Sequence, residues 1–192
     1  MKDNTIVILN ADHGESLGEH NYYFVHDESI YDDSLRVPLV IKDGRASEGG
    51  NKISKAISSV DIVPTILSRV SPGWYFFNKN RFNGVDLNEI MKGKDITRKY
   101  IYSYFPWGRS IRDVARGIKY ILYQDRREEL FVLPDEHHNR INDKALQVAK
   151  EELRSNLRSW LRDYPLATDI NSKKMSLDKD AKGWLKSLGY LQ

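Results

Sequence analysis

The sequence predicts an α/β protein, part of a mixed sheet with helices followed by a small antiparallel sheet packed on a long helix. Three observations predict it. Residues 5–9, Thr-Ile-Val-Ile-Leu, form an unbroken apolar, β-branched run, the pattern of a strand buried on both faces in a parallel or mixed sheet. Between residues 100 and 133, short apolar stretches alternate with turn residues, the signature of antiparallel strands. Residues 143–163 carry Ala149, Leu153, Leu157, Trp160 and Leu161 at helical spacing with Lys and Arg opposite, which is an amphipathic helix.

In chain order, the first strand is followed at once by Asn10-Ala11-Asp12-His13-Gly14-Glu15. Ligand sites of open α/β sheets lie at such carboxyl ends of strands. Residues 16–34 read as a polar, aromatic-rich loop without a period, and residues 37–42 as a second strand whose Pro38 suits an edge or a strand start. A glycine-rich turn over 43–51 and a short extended piece over 53–58 come next. Residues 61–70 are predicted helical, with Asp61 as N-cap and Pro64 tolerated only because it lies in the first turn. Residues 71–99 read as irregular apart from Gly84-Val85-Asp86-Leu87, a turn into a short helix ending near Gly93. Strands are expected at 100–104, 111–116, 119–123 and 129–133. Pro165 stops the long helix, and a short amphipathic ending spans 181–191.

Composition narrows the function classes. With 30 basic and 27 acidic side chains the net charge is only +3, and the basic residues are scattered, so there is no electrostatic footprint for nucleic acid. The absence of cysteine excludes disulfides, thiolate metal sites and a cysteine nucleophile within these residues. No apolar run approaches the roughly 20 residues that span a bilayer. No signal peptide is visible at the start, and the residues do not fix a compartment.

The chemistry-bearing stretch begins at Asp12 and His13. A carboxylate and an imidazole, brought together where a strand ends, suit a divalent cation of intermediate hardness such as Mn²⁺ or Zn²⁺; Ca²⁺ prefers oxygen donors. Two ligands are too few, so the rest of a shell must come from elsewhere in the chain, another chain, water or substrate. Gly14 lets the backbone leave the strand without a Cβ clash. Read without context, Asp12 also serves as a turn cap and His13 as a surface residue. Glu19 and His20 are placed to orient His13 or its loop. Arg36 is expected to pair with Asp32 or Asp33, and His137 and His138 are expected on the surface.

Asp12-His13-Gly14-Glu15-Ser16-Leu17-Gly18-Glu19-His20, followed by residues 31–39, resembles the second metal-binding segment of the sulfatases, in the alkaline phosphatase superfamily. The likeness continues in order: residues 59–67 resemble the family's helix, Gly84-Val85-Asp86-Leu87 its G-x-D-L turn, residues 111–120 its paired strands, Glu129-Leu130-Phe131 with Asn139 its E-L-Y segment, and residues 185–191 a common tail.

The resemblance implies several things. The fold is a partial alkaline-phosphatase-like sheet with helices: residues 1–99 belong to the C-terminal part of the catalytic α/β domain and 100–192 to a C-terminal subdomain. Asp12 and His13 are metal ligands, and His26 falls where the family places a Lys or His that assists the leaving oxygen. The metal is Ca²⁺ by likeness to the many sulfatases with Asp-Asn here, while His13 matches the variant of phosphonate and phosphodiester hydrolases and points to Mn²⁺ or Zn²⁺. The substrate is a small-molecule or glycan sulfate ester. The rival activities are a phosphodiesterase, a phosphonate hydrolase or a phosphoethanolamine transferase, and outside enzymes a non-catalytic binding module on the same scaffold. The nucleophile segment, C/S-x-P-S-R, does not occur in these residues. The chain is therefore expected to be a fragment, inactive without the N-terminal half of the catalytic domain, and prone to self-association through its first strand.

Overall fold

A computed structural model describes residues 4–25, 29–44 and 50–164. They fall in two units, Met1–Leu157 and Arg158–Gln192.

In the first unit, β1 (Ile6–Asn10) pairs antiparallel with β4 (Leu39–Asp43), Ile8 opposite Ile41 and Leu9 opposite Val40. Strand side chains alternate between faces. One face turns Ile6 and Ile8 towards a cavity that Ile66 and Val70 of α2 (Ile62–Val70) also line. The other holds Val7, Leu9 and Val40, which are 53%, 58% and 58% exposed. The continuous apolar run therefore does not mean burial on both faces within the described residues; β1 has one strand neighbour and one covered face.

The stretch expected to be a structureless loop contains a small antiparallel hairpin, β2 (Ser16–Leu17) with β3 (Tyr23–Val25), and one helical turn, α1 (Asp32–Leu35). The α2 helix follows Asp61 as expected, but the Asp61 side chain does not cap it; it closes a capping box with Ser58 on the preceding 3-10 turn Ser59–Asp61. The Ser58 amide donates to Asp61 Oδ2 at 2.8 Å, and the Ser58 side chain caps in return. Two further helices follow. In α3 (Pro72–Asn78) proline occupies the first position; α4 (Leu87–Met91) is capped by the Asp86 carboxylate, which accepts from the Asn88 amide at 2.9 Å.

The second half of this unit is a four-stranded antiparallel meander in the order β5 (Tyr100–Phe105), β6 (Gly108–Asp113), β7 (Ile118–Tyr123) and β8 (Glu128–Val132). The sheet is covered on both faces. One face carries Tyr100, Tyr120 and Glu128, which meet the long helix α5 (Gln147–Asp163) through Glu152 and Arg154, above the buried Ala149, Leu153 and Leu157. Glu152 accepts from Tyr100 and pairs with Lys99 and Arg116, which together hold its carboxyl down at about 2.

The opposite face carries Ile121 and Phe131, which pack with Ile30 and Tyr31 from the segment before α1. Covered on both sides, β7 is buried over four consecutive residues, Lys119 among them. The antiparallel sheet on a long helix is as expected; residues 29–35 add a third layer.

In the second unit, residues 158–163 are helical and the Trp160 and Tyr164 rings lie 5.9 Å apart. No helix among the described residues is long and apolar enough to cross a membrane.

Candidate metal centre

Asp12 and His13 lie immediately beyond the carboxyl end of β1. The His13 amide donates to Asp12 Oδ1 at 3.0 Å, a local turn that keeps the two side chains together. His13 Nε2 stands 3.6 Å from Asp12 Oδ2. The other ring nitrogen, Nδ1, is 2.8 Å from the Gly14 carbonyl oxygen. A carbonyl only accepts, so that bond puts the hydrogen on Nδ1 and the lone pair of the neutral ring on Nε2, the side that faces the carboxylate. Metal-ligating histidines are held this way, with the second nitrogen donating to a backbone carbonyl or carboxylate. The Asp12 side chain is 72% exposed.

The loop beyond the pair is tied to α1. The Gly14 amide donates to the Ser34 carbonyl at 2.7 Å. A Cβ on Gly14 would stand 2.0 Å from the Asp33 carbonyl oxygen, so only glycine allows the two backbones to approach. The Ser16 hydroxyl donates to Asp33 Oδ2, and the Ser29 hydroxyl to Asp33 Oδ1 at 2.8 Å. Asp32 points the other way, into the sheet, where Lys119 Nζ is 2.9 Å and Arg112 3.4 Å from its carboxylate.

Beside this lies an aromatic and acidic cluster. Tyr31 Oη donates to Glu129 Oε2 at 2.8 Å, and Tyr123 Oη is 2.9 Å from the same oxygen. Burial pushes both phenols up. His20 is stacked on Tyr31, with 3.5 Å between centroids, and has the His137 ring 5.3 Å away. Burial lowers its pKa against the opposing pull of Asp33 and Glu136. His20 thus works on Tyr31 rather than on His13. Glu19 does help shape the loop, accepting the Leu17 amide at 2.6 Å. His138 is on the surface, bonded to Asp135 at 2.7 Å. His26 lies outside the described residues.

The donor set fits a divalent cation as half a shell. Asp12 and His13 supply an oxygen and a nitrogen close enough to reach one ion at the usual bond lengths of about 2.0–2.2 Å. Among the described residues no third His, Cys, Asp or Glu joins them. Ser34 and Asp33, which hold the loop from behind, and Lys119, which pairs with Asp32, carry no sequence pattern of metal chemistry. The one available signal was a lysine in the middle of an apolar strand, Ile118-Lys119-Tyr120-Ile121.

The profile of the family described as Sulfatase matches residues 1–71, the stretch that holds Asp12, His13, α1 and α2. The first 71 of the 192 residues are thus similar to sulfatases. An ulvan-active sulfatase of Formosa agariphila is 30% identical over 100 residues, 50% of this chain and 18% of that protein. An arylsulfatase of Clostridium perfringens is 27% identical over 162 residues, 79% of this chain and 32% of that protein. The crystal structure of a phosphonate monoester hydrolase of Agrobacterium radiobacter superposes with a TM-score of 0.66 at 21% identity, over 84% of this chain and 36% of that one. That last likeness shows a shared mixed α/β fold. The chain spans about a third or less of the length of the curated relatives it matches.

Proposed function

We propose that the chain supplies half of the metal site of a sulfuric ester hydrolase, with Asp12 and His13 as ligands and His26 as the proton donor to the departing alkoxide. The observation that supports it is the His13 ring, which donates from Nδ1 to Gly14 and turns Nε2 towards Asp12 Oδ2 at 3.6 Å. A bound divalent cation in this position supplies Lewis-acid stabilisation of the charge on a sulfuryl oxygen. The chain's own residues hold that position: Gly14 locks the His13 tautomer, and Ser34 and Asp33 fix the loop. A nucleophile and the remaining ligands come from outside these residues, so the chain alone turns over sulfate esters at background rate.

Titration of Mn²⁺, Zn²⁺ and Ca²⁺ by calorimetry tests the ligand assignment. At least one ion is expected to bind the wild-type chain, and Asp12→Ala and His13→Ala are each expected to remove that heat. Binding that persists undiminished in both variants overturns the assignment, as does no binding of any of the three ions. Turnover of an aryl sulfate by the purified chain, abolished in Asp12→Ala, overturns the claim that it is inactive alone.

A second reading is phosphodiester or phosphonate hydrolysis, which His13 favours because the resemblance pairs Asp-Asn, not Asp-His, with many sulfatases. A phosphonate monoester added to the metal-loaded chain distinguishes it, by binding more tightly than an aryl sulfate.

We also infer self-association. Val7, Leu9 and Val40 present one apolar sheet face to solvent, and the outer edge of β1 has no strand beside it among the described residues. A second copy of this chain is the occupant proposed. Light scattering at rising concentration is expected to show dimers or larger species, with Leu9→Lys reducing them. A monomer throughout removes the inference.

A further inference from the structure

We propose that Lys119 is a positioning residue for the Asp12–His13 pair, acting through α1 from the far side of the loop. The proposal rests on the metal-ligand reading above but makes a separate claim, that the geometry of the pair is set by an ion-pair cluster in the C-terminal sheet.

Lys119 is 1% exposed, in the centre of a four-stranded sheet. A cation so placed needs its charge matched, because the desolvation of an unpaired ammonium is not recovered. Two carboxylates match it: Asp32 Oδ1 at 2.9 Å and Glu136 Oε1 at 2.7 Å. The two acids are themselves linked, since Glu136 Oε2 accepts the Asp32 backbone amide at 2.6 Å. Lys119, Glu136 and Asp32 therefore form a closed triangle that grips the first residue of α1 by both its side chain and its backbone. Arg112, from the neighbouring strand, adds a second cation to Asp32 at 3.4 Å.

From α1 the constraint passes to the loop through backbone and carboxylate contacts rather than through flexible side chains. The Ser34 carbonyl holds the Gly14 amide, the Asp33 carbonyl abuts Gly14 so closely that no Cβ fits, and the Asp33 carboxylate holds Ser16. The carbonyl of Gly14 in turn holds His13 Nδ1. Helices of a single turn have little stability of their own, so the orientation of α1 depends on what grips its ends. A buried ion-pair triangle contributes little net stability compared with apolar packing, but it fixes one arrangement, and one arrangement is what a metal half-site requires.

The test uses the full chain with Lys119→Met and Asp32→Asn. The first removes the centre of the triangle. The second is the safer variant for folding, because it cuts the link to the α1 side chain while Lys119 keeps Glu136. Leu157→Ala, a buried residue on the other face of the sheet, serves as a control that weakens the fold without touching the triangle.

Hydrogen exchange at the Gly14 amide is compared with that of the β7 amides in each protein, together with the ¹⁵N shifts of the His13 ring. In wild type the Gly14 amide is expected to be protected and the two ring nitrogens distinct, one protonated and one not. In Lys119→Met and Asp32→Asn, Gly14 exchange is expected to accelerate relative to β7 by about tenfold or more as the loop opens locally, and the two ring shifts to converge. In Leu157→Ala the ratio and the shifts are expected to stay at wild-type values. Unchanged Gly14 protection and ring shifts in a folded Asp32→Asn protein overturn the proposal, as does an equal response in Leu157→Ala. Mn²⁺ titration of the same proteins separates the two claims. Absence of binding to wild type counts against the metal-ligand reading alone, whereas wild-type binding that Asp32→Asn leaves intact counts against the role of Lys119.

Discussion

Replacing Asp61 by alanine is expected to lower the stability of the fold by about 3–5 kcal/mol, the range for removing one partner of a buried ion pair. Asp61 is fully buried. Its carboxylate is the convergence point of three segments far apart in the chain. It accepts the amides of Ser58 and Val85, both at 2.8 Å, and pairs with Arg98, whose side chain is 20% exposed. Its carbonyl accepts the Thr65 hydroxyl at 2.6 Å, and the Thr65 oxygen in turn accepts the Leu87 amide at 2.9 Å. Alanine would leave two amide donors and a guanidinium without their acceptor in a dry site, so the full desolvation of those groups is charged to the folded state. Asp61→Asn keeps the shape and one acceptor and is expected to cost distinctly less. Urea unfolding of both variants decides the matter. A loss in Asp61→Ala below about 1 kcal/mol, typical of an unremarkable surface change, would mean that the hub is not buried as described.

Asp61 also shows what the sequence could and could not disclose. Its place at the start of a helix was legible, since an acidic residue ahead of an apolar helical stretch is an N-cap pattern. That Arg98 is its cation was not, because they are 37 residues apart and no periodicity encodes which distant charge a cap will meet. The same holds for Lys119 and Asp32, separated by 87 residues.

Elements with a regular period were legible: α5, the Asp86-capped α4 and three of the four meander strands. The second strand lies at Gly108–Asp113 rather than at 111–116, because the chain reverses in Pro106 and Trp107 alone and Gly108 already pairs with Phe105. The α3 helix was missed because Trp74-Tyr75-Phe76-Phe77 is aromatic on every side and shows no helical face. An apolar run such as β1 states only that water is avoided on both faces. What covers the second face is not encoded in the run itself. Of the candidate site, Asp12 and His13 were legible as a pair of donors. The devices that hold them, a backbone contact at Gly14 and a carbonyl on the imidazole, depend on tertiary approach and leave no mark on residue type except the glycine.

That glycine carries the second large effect. Gly14→Ala is expected to lower stability by about 1–3 kcal/mol, as overpacking does, and to weaken metal binding by about 10–100-fold, the usual range when the groups supporting a ligand are disturbed. The added methyl would stand 2.0 Å from the Asp33 carbonyl oxygen and 3.2 Å from the Ser34 Cα. Both are backbone atoms, so no side-chain rotation relieves the contact. Either α1 moves away, which stretches its grip on Lys119 and Glu136, or the loop moves, which breaks the Gly14 amide bond to Ser34 and carries the Gly14 carbonyl off His13 Nδ1. The first route is opposed by a buried ion-pair triangle and the second only by loop hydrogen bonds, so the loop is the part that yields and His13 loses its orientation. Gly73→Ala is the matched control. It lies in α3 with nothing within 4 Å of the added carbon, and it is expected to be neutral or to stabilise by up to about 1 kcal/mol through helix propensity. Thermal unfolding and Mn²⁺ calorimetry on the two variants should therefore move in opposite directions for stability and differ only in Gly14→Ala for the metal. If both glycines accept alanine equally well, the close approach of the loop to α1 is absent in solution and the site is not preorganised.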